Sequence, residues 1–471
     1  MGPRIISSNK SITPSEITIQ KLIFNKLQEY GCKTHLVEYE TGKTTTFSML
    51  LSDCLKLSSA LVASNIKPGD VFIVYGFNSY EFLVALISGI FVGAIAVSMR
   101  ALDTDYEVKD TILMWDAKCL FVTSQKYETA MFVKQQLPNF KNIFIFDTEQ
   151  KDFRFPTIRQ LIDSSTEMEE HNIYEPKNKD EFAVILESSG TTGAMKGTKL
   201  GHYDLATLYD SRNTSTLYKK ADVFSGHSHM AHLSGLGAHL RSITFGIKIV
   251  SIRQSNVEKL VDAIRKYRIT RLIITPSTMN LMNKLENVDN LNSLKHVFVG
   301  GSRVTQTVIN NFLKKFNVEE FRNVYTMTEV TILSTLSDNK INCEAIGKVC
   351  PGIQMKVINP ATGRLLGENE SGELCIKGPI KFKGYHKNEK ATKELIDEEG
   401  WIHTGDIGYF DDDENFFLVD RLKDIIKQHG YSYSPVDIED VLLQHEAVKE
   451  AAVIGIPYGI DEEISHAFVV L

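Results

Sequence analysis

The stretch ESSGTTGAMKGTK, residues 187 to 199, holds three glycines and five serines or threonines ahead of its last lysine. It follows the apolar run Phe182-Ala183-Val184-Ile185-Leu186. Backbone without Cβ atoms can approach an anion closely, and its N–H groups and hydroxyls then donate to phosphate oxygens. Lys196 adds a point charge. The spacing departs from the common phosphate-loop signature, because Lys196 is preceded by Met195 and followed by Gly197. A surface loop is the plain alternative. A second stretch, GHSHMAHLSGLG at 226–237, places His227, His229 and His232 within six residues. Such clustering suggests a metal. No Asp follows at ligand spacing and no distant Cys/His set stands out, so the residues argue against one. Thr328-Glu329 and Thr404-Gly405-Asp406 offer oxygen donors, although singly they read as a cap and a turn.

The elements around these residues alternate. VFIVYG at 71–76 precedes a helical stretch at 79–92, and KCLFVTS at 118–124 precedes another at 127–137. NIFIFD follows at 142–147. IKIVSI, RLIIT and HVFVGGS each lead into a helical pattern, NVEKLVDAIRKYR, STMNLMNKLEN and TQTVINNFLKKF. This β-α alternation predicts parallel sheets covered by helices, with ligands beyond the C-terminal strand ends. The 187–199 loop lies at one such end and Gly300-Gly301-Ser302 at another. Phe82 to Met99 is apolar and long enough to span a bilayer. Gly89, Gly93 and the β-branched tail predict instead a buried helix ending near Gly93, then a strand. After about Ala345 short alternating strands predict a small antiparallel barrel, and an amphipathic helix is expected around 435–445 with Pro435 near its start.

Several strips, in order, resemble those of the adenylate-forming enzymes, the superfamily of acyl-CoA synthetases, 4-coumarate–CoA ligases and beetle luciferases. Ser188-Ser189-Gly190-Thr191-Thr192-Gly193 with Lys196-Gly197 resembles its phosphate-binding loop. Tyr325-Thr326-Met327-Thr328-Glu329 is similar to its Tyr-Gly-x-Thr-Glu, and Gly384-Tyr385 with Asn388 to its Gly-Tyr-x-x-Asn. Gly400 to Asp406 resembles its Trp-x-x-Thr-Gly-Asp strip, and Arg421 to Gly430 its hinge strip. The resemblance runs from about residue 40 to the end and is closest to the luciferase and 4-coumarate–CoA ligase branch.

It implies an α/β fold. A large N-terminal domain, 1–420, would hold two parallel-rich α/β subdomains and a small β-barrel. A small, incomplete α+β C-terminal domain would occupy 421–471. It also implies ATP, Mg²⁺ and coenzyme A acting on a small carboxylic acid: an acyl-adenylate forms first, and a thiol then displaces AMP. Ser188 to Gly193 and Lys196 would hold the phosphates, and Thr328 would donate to the α-phosphate. Glu329 would hold Mg²⁺, a hard cation that takes oxygen ligands. Asp406 would accept the ribose hydroxyls with Arg421 beside it, and Tyr325 would border the adenine. His232 would approach the substrate carboxylate, with Gly300, Gly301 and Ser302 lining the acyl pocket. His227 and His229 would be solvated or locally satisfied. Lys423 is the expected hinge, and Lys427 a further catalytic cation. Crowded negative charge at phosphorus makes cations and N–H donors the expected catalysts.

Departures matter. HLSG replaces the His-Gly-Phe-Gly of the luciferases, and Leu208 stands where they have arginine, which favours a plain acid over luciferin. His429 stands where close relatives often have Lys. The family's adenylation lysine lies in a strip beyond Leu471. The expectation is therefore weak adenylation, at a cost of about 3 kcal/mol for one lost cation, with better-preserved thioester formation. The alternatives are a luciferin-type monooxygenase and a catalytically weak relative that binds nucleotide or acyl ligand.

With 471 residues, two or three domains are expected. A net charge of −7 gives no reason to expect nucleic-acid binding. Six scattered cysteines form no disulfide framework and point to a reducing compartment. The first twenty residues carry no apolar signal core. Peroxisome or cytoplasm is expected from the resemblance, with no targeting signal visible.

Overall fold

The computed structural model describes all residues except 1, 149–151, 189–195, 215–216, 287, 289–290, 331–333, 339–343, 429–430, 446 and 459–462. A six-stranded sheet runs in the order Asn142–Phe146, Ala117–Thr123, Val71–Gly76, Ile95–Arg100, Phe182–Ser188, Lys196–Gly201. Its first five strands are parallel and only the last pair is antiparallel. A nine-stranded sheet has a parallel centre built from Glu320–Tyr325, His296–Val299, Arg271–Ile274, Val223–Gly226, Lys248–Ser251 and Thr34–Glu38. Antiparallel strands close both of its edges. The third sheet has five strands, all antiparallel: Ile6–Ser7, Gln354–Ile358, Gly372–Lys377, Ile402–Phe410 and Phe416–Arg421. Four of its strands fall after Ala345, where a barrel was expected, and the fifth, Ile6–Ser7, comes from the N-terminus. Among the described residues no pairing joins Ile6–Ser7 to Phe416–Arg421, so the sheet is open.

The alternation sorts as the apolar pattern predicts. Helix Tyr80–Phe91 is buried along its whole length, and strand Ile95–Arg100 follows it after Gly93. Gly89 packs against the ring of Phe72, where a Cβ would lie 2.1 Å from it, so a larger residue there would push helix and sheet apart. Among the described residues no helix is long and apolar enough to cross a membrane. Helix Pro435–Leu443 opens with Pro435 at its first turn and Ser434 capping it.

The last fifty residues form two hairpins and that helix, and polar contacts attach them to the nine-stranded sheet's helices. Arg303 Nη1 donates to Asp437 at 2.7 Å and Thr305 Oγ1 to Asp440 at 2.6 Å. Lys284 Nζ donates to the carbonyls of Val448 and Lys449 at 2.8 and 2.7 Å.

Buried titratable groups set the pH response. His35, His202 and His239 are almost wholly enclosed. Burial pushes them down to about 3, about 4 and about 4. His227 and His229, half-buried, are pushed down to about 4 for the same reason. In the unfolded chain these rings return to about 6.5, so their contribution is complete above that pH and is lost as pH falls toward about 4. Glu81 and Asp147 act oppositely, because burial raises their carboxyls to about 7 and about 6. Five rings outweigh two carboxyls at up to about 1.4 kcal/mol per pKa unit each. The unfolding temperature is expected to fall as pH drops from about 6.5 to about 4, and more steeply in Glu81→Gln. A level pH profile in calorimetry would contradict this.

Candidate functional site

The glycine- and hydroxyl-rich stretch is framed by two antiparallel strands. Glu187 pairs with Gly197 and Ser188 with Lys196, so the two ends of the 189–195 segment start from neighbouring positions. Ser189, Gly190, Thr191, Thr192 and Gly193 themselves lie outside the described residues. The frame tolerates no side chain at Gly197, where a Cβ would stand 2.6 Å from Ile185 and 2.8 Å from Trp115. Trp115 Nε1 in turn donates to Glu187 at 2.9 Å, and burial raises that carboxyl.

The free side of strand Lys196–Gly201 receives residues 384–386. Thr198 bridges Tyr385, the Lys199 N–H donates to Gly384 at 3.3 Å, and the His386 N–H donates to Gly197 at 2.7 Å. Gly384 turns at φ +82, a left-handed conformation that favours glycine. Asn388 then caps helix Glu389–Leu395 by accepting from the Ala391 N–H at 3.0 Å. This pairing carries the Tyr385 ring under Lys196 Nζ, 5.4 Å from the ring centre. The Tyr385 hydroxyl donates to Glu329 Oε1 at 2.6 Å. Glu329 is itself buried, in the turn that follows strand Glu320–Tyr325. Three elements distant in sequence therefore bring Lys196, Tyr385 and Glu329 into one chain of contacts. Thr328 stands half-buried beside Glu329 in the same turn.

A second cluster adjoins it. Tyr325 ends its strand and donates its hydroxyl to Asp406 Oδ2 at 2.5 Å, while Arg421 Nε lies 3.1 Å from Asp406 Oδ1. Burial raises the Asp406 carboxyl, with the Arg421 charge and the Tyr325 hydroxyl opposing. Asp406 and Arg421 face each other across paired strands. The structure thus unites Tyr325, Asp406 and Arg421. The Tyr325 ring is buried and its hydroxyl is tied to Asp406.

His232 precedes helix Leu233–Phe245 at the N-cap position. Its side chain is exposed at the surface. Burial, then the Arg100 guanidinium, lower it from its usual value, with Asp103 opposing. Gly235 lies one turn on, where a Cβ would stand 2.1 Å from the His229 carbonyl oxygen. The His-x-x-Gly spacing therefore lets the loop fold onto the helix start. His229 Nε2 lies 2.8 Å from the Gly76 carbonyl and His227 Nδ1 2.9 Å from Ser225 Oγ, so both rings are locally satisfied. Gly300, Gly301 and Ser302 follow strand His296–Val299. A Cβ on Gly300 would stand 2.7 Å from the Val324 carbonyl oxygen, and Gly301 has φ +99. Backbone packing thus accounts for Gly300, and its left-handed conformation for Gly301. Leu208 is buried in helix His202–Tyr209.

Lys423 is exposed in the turn after Arg421, whose neighbour Leu422 donates its N–H to Gly405 at 2.8 Å. Lys427 is exposed, and its N–H donates to Glu463 at 3.0 Å, which ties it to the terminal hairpin. His429 and Gly430 lie outside the described residues.

Some positioning residues carried no readable motif. Asn78 is buried, donates to the carbonyls of Gly226 and Ser228 at 3.2 and 2.8 Å, and accepts from the Met230 N–H at 3.0 Å. It thereby grips the histidine loop. Tyr385 was visible only as part of a strip, and its bond to Glu329 spans 56 residues.

Two parallel α/β sheets beside an antiparallel sheet, with a small C-terminal part, form the scaffold of enzymes that activate acids as adenylates. An anthranilate–CoA ligase, solved with anthranoyl-AMP, superposes with TM-score 0.86 at 19% identity, covering 97% of this chain and 87% of that one. A luciferase-like enzyme from the nonluminescent mealworm Zophobas morio superposes with TM-score 0.78 at 22% identity, covering 89% and 99%. The chain belongs to the AMP-binding enzyme family: that family's model matches residues 23–386, and the model of its C-terminal domain matches 437–471. Among curated relatives, luciferin 4-monooxygenase of Nipponoluciola cruciata is 32% identical over 84% of this chain and 74% of its own length. The 4-coumarate–CoA ligase-like 3 protein of Arabidopsis thaliana is 30% identical over 95% of this chain and 83% of its own. The adenylate-forming superfamily expected from the strips is thereby established, and its α/β architecture with it.

The Tyr385–Glu329 contact has a measurable cost. Tyr385→Phe leaves the buried Glu329 oxygen without its donor, which destabilises the fold by about 1–3 kcal/mol. Denaturant unfolding should show this loss, with Tyr409→Phe as the comparison. Equal stability of the two variants would mean that water replaces the phenol.

Proposed function

We propose that this protein joins a small carboxylic acid to ATP, giving an acyl-adenylate and pyrophosphate, and then passes the acyl group to the thiol of coenzyme A. The observation that carries this reading is the contact chain Lys196–Tyr385–Glu329, set where the glycine-rich segment ends. In this reading the Lys196 ammonium, braced over the Tyr385 ring, meets the terminal phosphates with the 188–193 segment. Thr328 offers its hydroxyl to the α-phosphate. Asp406 accepts from the ribose, with Arg421 and the Tyr325 hydroxyl fixing its two oxygens. His232, which burial and then the Arg100 guanidinium bias toward the neutral imidazole, hydrogen-bonds the acid's carboxylate. Gly300 to Ser302 border the acyl chain.

Glu329 suits Mg²⁺ by its donor chemistry, being a carboxylate oriented by a phenol. The ion, when bound, would offset charge on the phosphate oxygens. The residues supply positioning and electrostatics, which dominate displacement at phosphorus. We place the domain boundary between residues 420 and 421, with the turn at Lys423 as the swivel between half-reactions and Lys427 moving with the smaller part. Peroxisome and cytoplasm both suit the reading.

Luciferin 4-monooxygenases among the relatives favour a second reading, in which the adenylate is oxidised with emission of light. Leu208 and the His232-Leu-Ser-Gly strip speak for a plain acid instead.

Pyrophosphate release should require ATP, Mg²⁺ and a carboxylic acid, and a panel of fatty and aromatic acids identifies the substrate. Lys196→Ala should lower turnover by on the order of a hundredfold, the usual loss for one donor aimed at developing charge. Unchanged turnover would overturn the assignment of Lys196. Thioester formation with coenzyme A supports the ligase; light with luciferin and none with coenzyme A would replace it by the second reading.

A further inference from the structure

The face of the five-stranded sheet behind Asp406 carries a constellation that the nucleotide reading does not use. Glu373 and Cys375 are two residues apart on strand Gly372–Lys377, so their side chains leave the same face. His403, on the neighbouring strand Ile402–Phe410, is the cross-strand partner of Cys375. Three different donor types therefore meet on one face. One ligand atom from each residue lies within 4.8 Å of the others. His403 Nδ1 stands 3.1 Å from Glu373 Oε2 and 3.7 Å from Cys375 Sγ.

These separations can be set against those of a metal centre. Zinc takes nitrogen and oxygen at about 2.0–2.2 Å and sulfur at about 2.3 Å, in a tetrahedron. The nitrogen–sulfur edge of such a tetrahedron is then about 3.6 Å and the nitrogen–oxygen edge about 3.4 Å. Both observed edges fall within a few tenths of an ångström of these values. An ordinary hydrogen bond explains the Nδ1–Oε2 contact alone. Cross-strand pairing sets the buried thiol against the same ring nitrogen, which adds a third donor type to that contact.

The surroundings are those of a supported ligand set. Asp397 Oδ2 lies 3.6 Å from the second ring nitrogen of His403, and Asp397 Oδ1 accepts from the Trp401 N–H at 2.8 Å. A carboxylate behind a metal-binding imidazole orients the ring and raises its basicity. Glu373 has its other oxygen, Oε1, fixed by the Gly405 N–H at 3.1 Å. Cys375 is fully buried against Trp401 and Ile358, while about a third of the His403 side chain reaches solvent. That leaves an entry path and a fourth position for water.

We propose that Glu373, Cys375 and His403 bind a divalent transition metal, zinc by the mix of thiolate, imidazole and carboxylate, with Asp397 orienting His403. The site lies outside the catalytic constellation but touches its support. The register between the two strands shifts between Glu373 and Cys375, and the Gly405 N–H that precedes Asp406 is held by Glu373. An occupied site would lock this bulge and the Asp406 beside it.

Cobalt(II) titrated into the full chain, purified free of metal, tests the proposal through its thiolate-to-cobalt charge-transfer absorbance. One equivalent should develop the band, Zn²⁺ should displace it, and Cys375→Ser should abolish it. Asp397→Asn should keep the band but weaken binding by about 10–100-fold. If circular dichroism shows that Cys375→Ser is unfolded, His403→Gln is read in its place. No band in the unaltered chain, or the same band in the folded Cys375→Ser or His403→Gln protein, would overturn the proposal.

Discussion

The seating of residues 384–386 on the free side of strand Lys196–Gly201 is the contact on which the rest of the site depends. Two backbone hydrogen bonds and one bridge hold it. It joins a sheet of parallel strands to the segment that follows strand Gly372–Lys377 of the antiparallel sheet. Through Tyr385 it also reaches a turn at the end of the nine-stranded sheet. A phenol with a cation above its face and a buried carboxylate at its hydroxyl couples three bodies through one side chain. Cation–π and charge-assisted contacts of this kind gain strength where water is excluded.

Much of this architecture could be read from apolar periodicity. The strand–helix alternation, the helix that stops before Gly93 and the strand that follows it all rest on local pattern, and local pattern survives folding when each element buries one face. Glycine roles were legible only in part. Gly300 and Gly301 were expected to admit substrate, whereas the approach of the Val324 carbonyl to Gly300 already demands a missing side chain. Gly235 similarly answers to the His229 carbonyl. A sequence shows that a backbone must pass closely at such points but not what it passes.

The partners that position the site were not legible, because they come from far along the chain and belong to no motif. Asn78 reaches across 150 residues to hold Ser228, and Trp115 reaches Glu187 across 72. Single Asn and Trp residues are common, and only tertiary contact gives them a task. The same holds for the histidines. Three rings within six residues invited a metal, yet His227 and His229 are spoken for by a serine hydroxyl and a main-chain carbonyl. The set with metal-like geometry instead spans two strands, and its cysteine and histidine are 28 positions apart.

Part of the attachment of the last fifty residues to the body rests on side chains that water can reach. Asp437 is more than half exposed opposite Arg303. Bonds of that sort are individually weak, at about 0.2–1 kcal/mol, and fade as ions accumulate around them. The grip is therefore a set of separate fasteners rather than a welded seam. Undoing the Arg303–Asp437 fastener costs little free energy, and the salt of the surrounding medium tunes how often it is made.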